Sequence, residues 1–185
     1  MFKKGIVVFL LISPLLTWFL FKPIRVIAPE FNGVSCHERH ICVEDPSELN
    51  RALHLYEESS LFIQENVGIL STKPVVVFCS TEKCSNKFGL GRRTAMQLPL
   101  GIVIGPRAWK QYYVSHELIH QLQQQELGVL YTFQKPKWYL EGMAYLLSGD
   151  PRIELNEPLQ KYRQDFKVWF SGVGKENLWL AGEKL

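Results

Sequence analysis

The chain has 185 residues, 46% hydrophobic and 21% charged, with 13 glycines and 10 prolines. That is the composition of one compact domain with a short appendage, and it excludes a disordered chain, a collagen-like rod and a multi-domain arrangement. The formal charge of +3 sits at the N-terminus: Lys3, Lys4, Lys22 and Arg25 fall in residues 1–28, which hold no acid, leaving 17 of the 21 basic residues against all 18 acidic ones. A charge-driven nucleic-acid binder is excluded, and no nucleic acid is expected as a partner.

Residues 1–28 read as a separate N-terminal segment. Lys3 and Lys4 precede an uncharged run from Gly5 to Phe21, which at 1.5 Å per residue spans about 26 Å and reads as membrane-targeting. An anchor and a cleavable signal both fit. The best cleavage site, Val26-Ile27-Ala28, is followed at once by Pro29, which favours the anchor and makes the membrane a partner. Cys36 with Cys42 and Cys79 with Cys84 form two local couples behind this segment. Such an even count predicts a disulfide in each couple and places the domain, residues 29–185, outside the cytoplasm, in the periplasm or beyond the cell. Buried free thiols, or a zinc site of Cys36, His37, His40 and Cys42, are the rival readings; the latter crowds four ligands into seven residues with none of the usual spacings.

Residues 46–66 carry Leu49, Leu53, Tyr56 and Ile63 at near-helical spacing and predict an amphipathic helix ended before Gly68. Lys73-Pro74 then launches Val75–Cys79, a β-branched run suited to a buried strand. Gly101–Gly105 predicts a second strand, stopped by Pro106. A helix is expected from Arg107 to Leu127, with Pro106 ahead of its first turn and Gly128 beyond its end. The glutamines at 121–125 read as a polar face of that helix. Further helices are expected over 137–147, closed by Ser148-Gly149-Asp150-Pro151, and over 157–170, where Leu159, Tyr162, Phe166 and Trp169 or Phe170 share a side. Segregated strands and helices indicate an α+β domain.

The chemistry lies on the 107–127 helix, as His116-Glu117-Leu118-Ile119-His120. Residues four apart on a helix point the same way, so His116 and His120 can present two imidazole nitrogens to one metal ion with Glu117 alongside. A second signal follows 21 residues later. In Trp138-Tyr139-Leu140-Glu141-Gly142-Met143-Ala144 a carboxylate starts an otherwise apolar helix, a setting that calls for a cation beside it. Zinc is the natural one, since two His and one Glu leave an open fourth position.

Over residues 101–147 the chain resembles a gluzincin, the group of zinc metallopeptidases in which HExxH is followed by a glutamate ligand on the next helix. The Trp-x-x-Glu-Gly-x-Ala segment is similar to that of the aminopeptidase branch. The resemblance implies a zincin-like α+β fold, one catalytic zinc held by His116, His120 and Glu141, and a peptide or protein substrate whose backbone adds to an edge strand at 101–105. It implies metal-assisted hydrolysis with Glu117 as the base that takes a proton from water and returns it to the leaving nitrogen. Departures are visible. Thermolysin-like members place an aspartate four residues after the glutamate ligand to orient the first histidine; here that position is Tyr145, so Asp150, Asp165 or a backbone carbonyl is expected to substitute. No histidine follows His120, so the donor that steadies the oxyanion is sought among Tyr162, Tyr145, Tyr131 and Arg163, with the aminopeptidase branch pointing to Tyr162. No Gly-x-Met-x-Asn exopeptidase pattern is present, which favours an endopeptidase. The alternatives are a non-catalytic zinc module binding an envelope peptide or protein, and an amidase acting on peptidoglycan peptides.

Overall fold

The computed structural model describes residues 21–185. Among these residues no helix is long and apolar enough to cross a membrane. The expected membrane-anchored localisation is corrected accordingly; the run from Gly5 on which it rested lies, but for Phe21, outside the described residues.

A mixed five-stranded sheet organises the chain. Its strands are β1 (Ser35–His37), β2 (Ile41–Val43), β3 (Val76–Phe78), β4 (Ala95–Leu98) and β5 (Gly101–Ile104), in the order β1-β2-β3-β5-β4. β2, β3 and β5 run parallel, while β1 and β4 pair antiparallel at the two ends. The strand at 101–104 is therefore internal, paired on both sides, and the edge strand at that end of the sheet is 95–98, which carries no β-branched residue and was not legible as a strand.

Both faces of the sheet are buried, which explains the unbroken apolar runs of β2, β3 and β5. Ile41, Val43, Val76, Phe78, Ile102 and Ile104 point into the main core beneath the helices. The alternate residues Cys42, Val77, Val103 and Met96 face a second core with Phe88, Leu90 and Val26. Val26, in the segment set apart on sequence, is fully buried there. Both disulfides lie in this second layer: Cys36–Cys42 joins residues directly opposite on β1 and β2, and Cys79–Cys84 ties the end of β3 to α2 (Glu82–Lys87). All four cysteines are so used, which removes the Cys36/Cys42 zinc reading.

The opposite layer is helical. α1 (Leu49–Asn66) follows a turn capped by Asp45, whose carboxylate accepts from the Ser47 N–H at 2.9 Å. α3 (Gln111–Leu127) starts four residues later than expected. Trp109 explains the delay, because its indole N–H donates to the Cys79 carbonyl at 2.9 Å and holds 105–110 in turns against the sheet end. Gly128, at φ +81°, ends the helix. α4 (Val129–Thr132) links to α5 (Lys137–Leu147), which packs along α6 (Leu159–Val173); α7 (Leu178–Gly182) closes the chain. The α5/α6 contact is close because of Gly142, where a Cβ would stand 2.3 Å from the Tyr162 carbonyl oxygen. Beside it Tyr139, Phe166 and Trp169 interlock, with Tyr139 edge-on to Trp169 at 5.3 Å.

Candidate metal centre

α3 carries His116 and His120 one turn apart, and α5 delivers Glu141 to meet them. Their Nε2 atoms are 3.2 Å apart, and Glu141 Oε2 lies 3.7 Å from His116 Nε2 and 3.8 Å from His120 Nε2. Among the described residues these three form the one group of His, Cys, Asp or Glu side chains able to hold a metal ion. The donor set fits zinc: bonds of about 2.0–2.1 Å in tetrahedral array set ligand atoms about 3.4 Å apart, within about half an ångström of each observed spacing. Glu141 is a third exposed. Burial raises its carboxyl, but His116, His120 and Lys137 beside it outweigh that and hold it at about 2.

Glu117 stands apart from the triad. It is buried, and burial pushes its carboxyl up to about 7 against the pull of His120, with Glu141 raising it further. The backbone N–H of Gln97, on β4, hydrogen-bonds it. The same strand, at Ala95 and Met96, walls a cleft of about 690 Å³ that contains His116, Glu117, His120, Glu141 and Tyr145. A second cleft, of about 520 Å³, shares Gln97, His120, Glu141 and Leu159 with it and runs past Phe133, Leu140 and Tyr162. The cluster thus sits where two clefts meet.

Gln123 was not singled out on sequence. Its side chain is fully buried, with Oε1 2.8 Å from His120 Nδ1 and Nε2 donating to the Leu140 carbonyl at 2.9 Å. A carbonyl only accepts, so the amide N must face Leu140 and Oε1 must face His120. His120 Nδ1 therefore carries the proton, and Nε2 is left with a lone pair toward Glu141. The glutamines at 121, 124 and 125 are also bonded to other segments. Gln97 donates to Gln121 at 3.1 Å and accepts from Gln124 at 3.0 Å, and Gln125 accepts from Ser71 N–H at 2.7 Å. Position i+3 from His120 was a legible signal for Gln123; the Gln97 contacts cross 24 and 27 residues and were not.

Of the groups expected to orient His116, neither Asp150 nor Asp165 hydrogen-bonds it. Tyr145 stands edge-on to it, ring centres 4.4 Å apart. Arg152 lies over the Tyr145 ring at 5.7 Å and over Tyr113 at 5.3 Å, and Asp150 grips Arg152 through both carboxylate oxygens. Asp150 thus reaches His116 only through Arg152 and Tyr145, and Asp165 is paired with Lys161. Burial first, then the charge of Glu141, pushes the Tyr145 phenol up to about 12, so it stays a proton donor. Of the other oxyanion candidates, Tyr162 lines the adjoining cleft, Arg163 is committed to the Arg152 and Ile153 carbonyls, and Tyr131 is exposed beside Lys135 and Glu183, away from the cluster. Comparison with protein-family models, with curated proteins and with solved structures finds no match to this chain.

Proposed function

We propose that this protein is a zinc-dependent peptidase that cleaves peptide bonds within a chain, acting in an oxidising compartment outside the cytoplasm. The observation that carries the reading is the convergence of His116, His120 and Glu141 beside a buried carboxylate, Glu117, that is not one of the converging three. A module that only binds gains nothing from such a carboxylate. The antiparallel edge strand β4 beside the histidine helix, followed by a glutamate-bearing helix, supports a zincin-like α+β fold, and the two disulfides support the compartment.

When bound by His116, His120 and Glu141, zinc supplies Lewis-acid polarisation of a carbonyl and lowers the pKa of water towards about 7. The chain's own residues do the rest. Beyond the Gln97 N–H, which Glu117 holds, the outer edge of β4 accepts an extended peptide backbone, which sets the scissile bond over α3. Glu117 takes the water proton at its carboxylate and hands it to the leaving nitrogen. Tyr145 offers its hydroxyl to the carbonyl oxygen as charge develops there. Two clefts meeting at the cluster leave space for a chain that continues past the cleaved bond, which favours internal cleavage. The test is Glu117→Gln: zinc content stays at one per chain while hydrolysis of a mixed peptide library falls about 10²–10⁴-fold. His116→Ala and Glu141→Ala lose the metal. Full zinc occupancy in both, or undiminished turnover in Glu117→Gln, ends the proposal.

A further inference from the structure

The two clefts share a charge pattern that the chain as a whole lacks. Among the described residues the only carboxylates lining them are Glu141 and Glu117, which the proposed reading uses as ligand and base. Every other charged side chain on the walls is cationic: Arg92 and Arg93 on the His116 side, Lys135 and Lys137 on the Tyr162 side. This occurs on a chain whose residues beyond 28 carry nearly balanced charge.

Elsewhere cations have found carboxylates, as in Arg51–Glu48, Arg107–Glu82 and Lys161–Asp165. In the groove none of the four makes an ion pair among the described residues. Lys135 donates to the Glu183 carbonyl at 2.8 Å, and one Arg93 nitrogen contacts Met96 Sδ at 2.8 Å. These neutral partners leave most guanidinium donors free among the described residues. The charges of Arg93 and Lys137 act on Glu117 and Glu141 respectively, so two carboxylates stand against four cations on the walls.

We infer that the groove selects an acidic peptide, with carboxylates on both sides of the bond placed at the metal cluster. Arg92 and Arg93 receive the carboxylates on one side, in the planar two-point geometry that guanidinium favours. Lys135 and Lys137 receive those on the other as point charges. The inference rests on the peptidase reading for what happens next, but not for binding. Cationic walls of this kind raise the encounter rate with anionic chains and reject basic ones.

Three fluorescein-labelled peptides of one length, differing only in Glu, Gln or Lys at alternate positions, are titrated against the zinc-loaded full chain carrying Glu117→Gln, and are offered to the wild-type chain for cleavage. The Glu peptide is expected to bind about tenfold or more tighter than the Lys peptide, and raising salt to about 0.5 M should largely erase the difference. Adding Arg92→Gln and Arg93→Gln should weaken the Glu peptide about tenfold and leave the Gln peptide unchanged. Lys135→Gln with Lys137→Gln should do the same from the other end. Equal binding of Glu and Lys peptides, or indifference to all four substitutions, overturns the inference even if peptides are cleaved. Acidic selectivity without cleavage by the wild-type chain overturns the peptidase reading and leaves the inference standing.

Discussion

Gln123 bridges the two ligand-bearing helices by hydrogen bonds, and replacing it separates positioning from packing. Gln123→Leu removes the acceptor facing His120 Nδ1 and the donor facing the Leu140 carbonyl. Each buried partner left unsatisfied costs about 1–3 kcal/mol, so the domain should lose about 2–6 kcal/mol of stability. His120 also loses the bond that fixes its tautomer and ring angle, and zinc affinity should fall about 10–100-fold. Gln123→Glu behaves differently. At neutral pH it keeps an acceptor toward His120 and strengthens it, but it sets a second acceptor against the Leu140 carbonyl. Stability falls again, while zinc affinity holds or rises. The assay is competition for zinc against a chromophoric chelator well below the melting temperature, with folding checked by far-UV circular dichroism. A folded Leu variant with wild-type affinity refutes the argument. So does an equal loss in both variants, which is what general loosening of the α3/α5 contact would give.

Gly142→Ala drives a Cβ to 2.3 Å from the Tyr162 carbonyl oxygen, so α5 must separate from α6; a loss of about 1–3 kcal/mol or more is expected in urea unfolding, with zinc bound more weakly because Glu141 precedes the displaced residue. Tyr145→Phe should keep its metal and lose kcat about a hundredfold, while Tyr162→Phe stays near wild type; the reverse ranking would place the oxyanion donor in the adjoining cleft. Asp150 supplies a pH signature. Burial raises its carboxyl, but the hydrogen bonds and charge of Arg152 hold it below the ordinary aspartate value. Its contribution is therefore complete above about pH 4, the unfolded aspartate value, and disappears as pH falls through the lower folded value. In Asp150→Asn, stability at neutral pH should drop by on the order of 2 kcal/mol, and the acid limb of the stability curve should flatten. An acid limb identical to wild type would show that the Asp150–Arg152 pair contributes nothing to it.

Periodicity and stop signals made the helices at 49–66, 111–127, 137–147 and 159–173 legible, because each carries apolar residues at helical spacing and ends near a glycine, a proline or a polar turn. The pairing of nearby cysteines was legible for the same local reason, and so was the i, i+4 placement of His116 and His120 on one helix face. What defeated sequence reading was pairing across distance. Which strand forms the sheet edge depends on the order in which strands meet, and Ala95–Leu98 lacks the β-branched run that marks an internal strand. The separation of Glu141 from the histidines is a fact of how α5 lies on α3. The path from Asp150 through Arg152 and Tyr145 to His116, and the four cations along the groove, likewise exist only once loops from residues 92–93, 135–137 and 150–152 are brought to one side of the sheet. Local geometry repeats with a fixed period and is written in residue spacing; the charge and shape of a cleft arise from segments whose meeting is decided by burial of the whole core, and no short window of sequence contains that decision.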